Sequence, residues 1–153
     1  RQIGAGAEAV QIFDTWAGVL PKSAYDRFSA APIREIARRV KAAHPGIPVI
    51  AFPRGAALYL PELAKAPEID AIGIDYATDP VWAAREIQPH ATVQGNLDPI
   101  LLLAGGPELE KGARAIVEAL SGGPHVFNLG HGILPQTPIA HVEALLKAVR
   151  SAR

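Results

Sequence analysis

Five times along these 153 residues a short, largely apolar run gives way to an amphipathic stretch, and no other feature limits the fold as much. The runs are 10–14, 48–52, 71–75, 91–94 and 125–129. A strand that faces water on one side alternates apolar with polar residues. A strand covered on both faces by crossover helices does not, and parallel sheets are built from the second kind. The spacing therefore predicts an α/β protein with a parallel sheet. Between the runs, helices are expected over 25–44, 56–65, 80–87, 99–103, 107–121 and 138–153. In the first of these, Phe28, Ile33, Ile36, Ala37 and Val40 recur at helical spacing. Pro32 is expected to split that helix in two and Pro61 to break the next. Asp79 and Thr137 are expected to cap the helices that follow them. Residues 2–9 read as a helix end turning at Gly4 and Gly6.

Two architectures share this pattern. By length, five units suit an open doubly wound sheet, because a (β/α)8 barrel takes eight and about 250 residues. The chain opens on Arg1 and holds no methionine, however, so a longer parent is expected, and with it five units of a barrel. No linker or shift of composition divides residues 1–153, which read as part of one domain.

Composition removes several functions. Fifteen basic and fifteen acidic residues balance, which excludes a general electrostatic nucleic-acid binder. Cysteine is absent, which excludes disulfides, thiolate zinc sites, iron–sulfur clusters and a cysteine nucleophile. Apolar stretches are too short to cross a membrane, and residues 1–9 show no secretory signal, so a cytoplasmic protein is expected. No nucleophile elbow, P-loop or dinucleotide-binding fingerprint occurs. The glycine pairs at 122–123 and around His131 match phosphate loops only weakly.

In either architecture ligands bind at the carboxyl ends of the strands, and polar residues gather there. The five tips carry Asp14, Thr15 and Trp16; Arg54; Asp75 and Tyr76; Gln94, Asn96 and Asp98; and Asn128, Gly130, His131 and Gly132. Each has a plain structural alternative. Asp75 and Asp98 can cap helices, Asn96 can organise a loop, and Thr15 and His131 can satisfy local turns. Arg54 can hold an anion or pair with Asp75. Trp16 and Tyr76 can line a pocket or pack the top of the sheet. His44, His90, His125 and His141 lie away from the tips and read as structural or solvent-facing. With one histidine on the rim, no metal set is expected.

Assembled, the tips resemble the uroporphyrinogen decarboxylase family through Val10-Gln-Ile-Phe-Asp-Thr-Trp-Ala-Gly18, Val93-Gln-Gly-Asn-Leu-Asp-Pro99 and Phe127-Asn-Leu-Gly-His-Gly-Ile-Leu-Pro135. The resemblance runs the whole chain and implies a TIM (β/α)8 barrel of which this chain is the C-terminal portion, strands four to eight. It implies removal of four acetate carboxyl groups from uroporphyrinogen III, giving coproporphyrinogen III in haem biosynthesis, without metal or organic cofactor. The family's Ser/Thr and His substrate-contacting positions correspond to Thr15 and His131. Asp14, Arg54, Asp75, Gln94, Asn96, Gly130 and Gly132 are expected to support the rim. The family's essential aspartate, arginines and tyrosine belong to the first part of the barrel, so no residue here takes a catalytic role. Family members are often homodimers, and the same is expected of the full-length protein, with a porphyrinogen as substrate and neither nucleic acid nor membrane as partner. Strands four and eight lie opposite each other in an eight-stranded barrel, so a ligand touching both Thr15 and His131 must be wide. Two alternatives remain. One is a corrinoid-dependent methyltransferase of the same superfamily, against which the absence of cysteine counts. The other is an inert barrel fragment, as the isolated chain is expected to be.

Overall fold

A computed structural model describes residues 1–152. Five parallel strands form one sheet: β1 (Val10–Asp14), β2 (Val49–Pro53), β3 (Ala71–Gly73), β4 (Thr92–Leu97) and β5 (His125–Leu129). Their spatial order is their chain order, β1-β2-β3-β4-β5, each hydrogen-bonded to the next. A doubly wound sheet reverses direction at a switch point; a barrel winds one way only. The sequential order therefore selects the partial barrel of the two architectures.

Winding one way puts the helices on one side of the sheet. These are α1 (Lys22–Tyr25), α2 (Ala31–Ala43), α3 (Leu60–Ala64), α4 (Pro80–Glu86), α5 (Pro99–Ala104), α6 (Gly106–Ala119) and α7 (Ile139–Ser151). Val49, Ala51, Ile72, Val93 and Leu97 of the strands pack into a single core with Leu63, Ile87, Leu102, Leu109 and Leu145. The other side of the sheet is concave and carries no helix. There Phe13 is 67% exposed and Val126 47%. Gln94 Nε2 on β4 donates to Gln11 Oε1 on β1, 3.2 Å away. In a flat sheet those strands stand about 14 Å apart, three spacings of about 4.8 Å, with parallel side chains that cannot meet. Their bond measures how strongly the sheet curls.

Several elements depart from the sequence expectations. Pro32 does not split the first helix. A π turn over Asp26–Ala30, with the Ala31 N–H bonded to the Asp26 carbonyl, widens the helix just ahead of the proline, and α2 follows without a break. Thr137 does not cap α7. Pro138 is extended there and lies between Thr137 and the first turn, which has no side-chain cap, and the Thr137 hydroxyl is buried without a partner. β4 begins one residue later and ends three residues later than expected, and it takes in a cis peptide between Gly95 and Asn96. Asp79 does cap α4, accepting the Val81 N–H at 2.9 Å. His141 is structural: its Nδ1 lies 3.1 Å from the carbonyls of both Leu102 and Leu103, at the end of α5. The expected end of the last helix at Arg153 lies outside the described residues. Among those residues, no helix is long and apolar enough to cross a membrane.

A second, smaller apolar cluster lies beneath the loops after β1 and β2. It joins Ala17, Tyr25 and Ala56, with Tyr59 stacked on Tyr25 at 4.6 Å between ring centres. Burial pushes the Tyr25 hydroxyl above its ordinary range. On the outer face of α2, Arg38 and Arg39 bond the Glu35 carboxylate at 2.9 and 2.7 Å and hold it down at about 2. A carboxylate depressed on folding stabilises the folded state above its unfolded value of 4.5, and that contribution fades as pH falls toward 2. Carbon-13 NMR titration of Glu35 should therefore give a midpoint near 2 at low salt. Molar salt, or Arg38→Gln with Arg39→Gln, should return it toward 4.5.

Candidate functional site

On a strand, side chains at i and i+2 share a face. Along β1 this brings Gln11, Phe13 and, just beyond the strand, Thr15 to the concave side. In β2 the same rule selects Phe52 and Arg54, in β4 Gln94, and in β5 Asn128. These residues, with His131 and Ile133, line a cavity of about 420 Å³ at the carboxyl ends of the strands. Phe13 and Phe52 meet edge to face at 5.9 Å and form an apolar wall. The Phe52 ring also lies over Gly73, where a β-carbon would come within 2.7 Å of it, so the space for that ring depends on a missing side chain. A shallower depression of about 680 Å³ runs along α6, but one helix alone lines it and no strand tip reaches it.

The cavity wall contains no carboxylate. The acids at the strand tips are all turned to donors of the loops themselves. Asp14 Oδ1 accepts the Trp16 N–H at 3.2 Å, and Asp98 Oδ1 accepts the Ile100 N–H at 2.8 Å as cap of α5. Asp75 is 6% exposed and accepts three bonds: Gly55 N–H at 2.6 Å, Ala77 N–H at 3.0 Å and the Thr78 hydroxyl at 3.1 Å. From within β4, buried Asn96 donates to the carbonyls of Asp75 and Thr78 at 2.8 and 2.6 Å. Gly130 of the β5 loop presses on the same segment, where any β-carbon would overlap the Tyr76 backbone. Gly18 and Gly55 touch in the same way, backbone to backbone, between the loops after β1 and β2. The tips are thus tied into one rim.

On this rim His131 is exposed, and its Nδ1 accepts the Gly132 N–H at 2.6 Å. That bond puts the proton of the neutral ring on Nε2, which is left as a donor. Thr15 is exposed and its hydroxyl makes no side-chain bond to another described residue. Of the rim residues expected from sequence, Thr15, Arg54, Gln94, His131 and Gly132 line the cavity. Asp14, Asp75, Asn96 and Gly130 do not; they hold the loops. Gln11, Phe13 and Phe52 were not singled out from sequence, and Asn128 was named only as part of the fifth tip. The two-residue alternation through Gln11, Phe13 and Thr15 was the signal that would have found them. Among the described residues, no group of three or more His, Asp or Glu converges as a metal site would require.

With that geometry in hand, the comparisons are specific. The sequence profile of the uroporphyrinogen decarboxylase family matches residues 1–152. A uroporphyrinogen decarboxylase of Mesorhizobium japonicum is 52% identical over 152 residues, 99% of this chain and 44% of its own length. That of Rhodospirillum rubrum is 47% identical over 152 residues, again covering 44% of the relative. The chain thus spans less than half the length of the relatives it matches. Among solved structures, a methyltransferase from Methanosarcina mazei superposes with a TM-score of 0.81 at 24% identity, over 97% of this chain and 43% of that one. At that identity the likeness concerns the fold.

The rim network gives a stability prediction. In the intact parent, Asp75→Ala leaves the buried Thr78 hydroxyl and the part-buried Gly55 and Ala77 N–H groups without their acceptor and should cost about 2–4 kcal/mol in urea unfolding, whereas Asp14→Ala, with one bond at an exposed turn, should cost under about 1 kcal/mol.

Proposed function

The chain belongs to the uroporphyrinogen decarboxylase family, and we propose that in its parent protein it forms strands four to eight of a cofactor-free decarboxylase acting on uroporphyrinogen. The observation that carries this reading is the cavity wall. Its polar side chains are Gln11, Thr15, Arg54, Gln94, Asn128 and His131, and none is an acid. A polyanionic tetrapyrrole calls for such a wall, since each of its carboxylates gives up water and takes donors in exchange. The phenyl rings of Phe13 and Phe52 offer the flat apolar surface that its pyrroles need.

The reaction requires an electron sink. A pyrrole ring carbon takes up a proton. The bond between the acetate methylene and its carboxyl carbon then breaks, its electron pair entering the cationic ring as carbon dioxide leaves. The exocyclic methylene so formed is protonated to a methyl group, and the ring carbon returns its proton. The balance is one proton consumed and one carbon dioxide released per acetate. A carboxylate facing the pyrrole N–H groups would stabilise the cationic ring. Asp14, Asp75 and Asp98 are committed to backbone donors, so we assign that role to the part of the barrel outside this chain.

Thr15 and the Nε2–H of His131 are assigned to substrate carboxylates. They come from the first and last strands of the sheet, so a ligand that touches both spans the cavity. This breadth suits a macrocycle and not a small metabolite. The methyltransferase alternative gains only fold-level support, and a chain without cysteine lacks the thiolate zinc ligand expected for it.

In the intact parent, Thr15→Val and His131→Ala should each lower kcat/KM for uroporphyrinogen about 10- to 100-fold, the loss of one bond to a charged group, with His131→Gln intermediate. Chromatography of the porphyrins formed would read this out. A parent that releases no coproporphyrinogen would sink the proposed reaction, and unaltered kcat/KM in both variants would sink the site. Residues 1–153 alone should show no turnover above background.

A further inference from the structure

Arg54 is half-buried, lines the cavity and has no carboxylate within ion-pair distance among the described residues. Arg34, Arg38, Arg39 and Arg85, by contrast, lie on the outer surface and rest on glutamates. Asp75, the rim acid that could have neutralised it, spends its oxygens on Gly55, Ala77 and Thr78. Among the described residues the side-chain partner of Arg54 is Tyr76, whose hydroxyl oxygen accepts from Nη2 at 3.3 Å and whose ring lies 6.0 Å from the guanidinium carbon.

The backbone around this arginine is held with unusual care. Its own N–H donates to the Asp14 carbonyl at 2.9 Å, and its carbonyl accepts the Gly18 N–H at 2.9 Å. The next N–H, that of Gly55, is fixed by Asp75. The tyrosine is held as firmly: Asp75 and Asn96 clamp residues 75–78, and Gly130 packs on the Tyr76 backbone. Five strand tips therefore cooperate to present one cation, leaving its charge unanswered. A positioned guanidinium with free donors beside a wall of neutral polar groups is the arrangement that takes a carboxylate in two parallel bonds.

We propose that Arg54 is the anchoring cation of the cavity for one acid side chain of the polyacid substrate, with Tyr76 as the positioning residue that aims it. This rests on the tetrapyrrole reading above and adds which group anchors the ligand. Binding to the intact parent is measured with the fluorescent oxidised analogue uroporphyrin, across a range of salt concentrations. Arg54→Gln should raise Kd about tenfold or more and flatten its dependence on salt, with the thermal midpoint unchanged. Arg54→Lys, which keeps the charge and loses the fork, should recover part of the affinity. Tyr76→Phe should raise Kd a few-fold, and the double variant Arg54→Gln/Tyr76→Phe should bind no worse than Arg54→Gln, because Tyr76 acts through the arginine. Wild-type affinity and salt dependence in Arg54→Gln would overturn the anchor while leaving the tetrapyrrole reading intact. Independent, additive losses in the double variant would overturn the role given to Tyr76. Failure of the wild-type parent to bind uroporphyrin would overturn both proposals.

Discussion

A carboxylate can be buried only where donors replace the water it gives up. At Asp75 the donors come from two loops: Gly55 follows β2, and Ala77 and Thr78 follow β3. One side chain thereby fixes the distance between neighbouring strand tips, and Asn96 extends the tie to β4 through the carbonyl of that same aspartate. Gly130 completes it at β5 by steric contact. Without this clamp the loops would be connectors of ordinary mobility, and the cavity they enclose would have no settled shape. An acid at a strand tip is easily taken for chemistry. Here it is the fastening, and the groups that face the cavity are its dependents.

The architecture was legible because it follows from periodicity. Uninterrupted apolar runs such as 48–52 and 71–75 could only be covered strands, and Asp79 before Pro80 could only be the start of a helix. What periodicity could not decide was the sense of winding, which only the family resemblance of the strand tips supplied. That choice lives in which strand lies beside which, and no local preference encodes it. The same limit explains the misreadings. Pro32 signals a break by every local rule, yet a π turn absorbs it, with Tyr25 ahead of it buried in the smaller cluster and Ile33 and Ala37 beyond it in the core. Thr137 has the composition of a cap but stands one residue too early.

For the cavity, strand ends pointed to the region it occupies, and the aspartates there were allowed the structural role that their hydrogen bonds show. Gln11 and Phe13 passed as ordinary strand residues because the run was read as uniformly apolar, although the two-residue spacing of 11, 13 and 15 already puts them on one face. The pairing of Arg54 was also beyond reach. Sequence left it open between an anion and Asp75, and only the saturation of Asp75 by other donors shows that the arginine is not neutralised there.

Gln11 and Gln94 are 83 residues apart, and their amides meet over the floor of the cavity. Closing so long a loop is entropically expensive until the intervening strands have docked, so contacts of this separation form toward the end of folding. A chain with only three strands in place would have much of its hydrophobic interior and no floor at all. Any ligand held in that cavity would then lower the free energy of the finished form alone, so its supply would also raise the fraction of molecules that escape degradation.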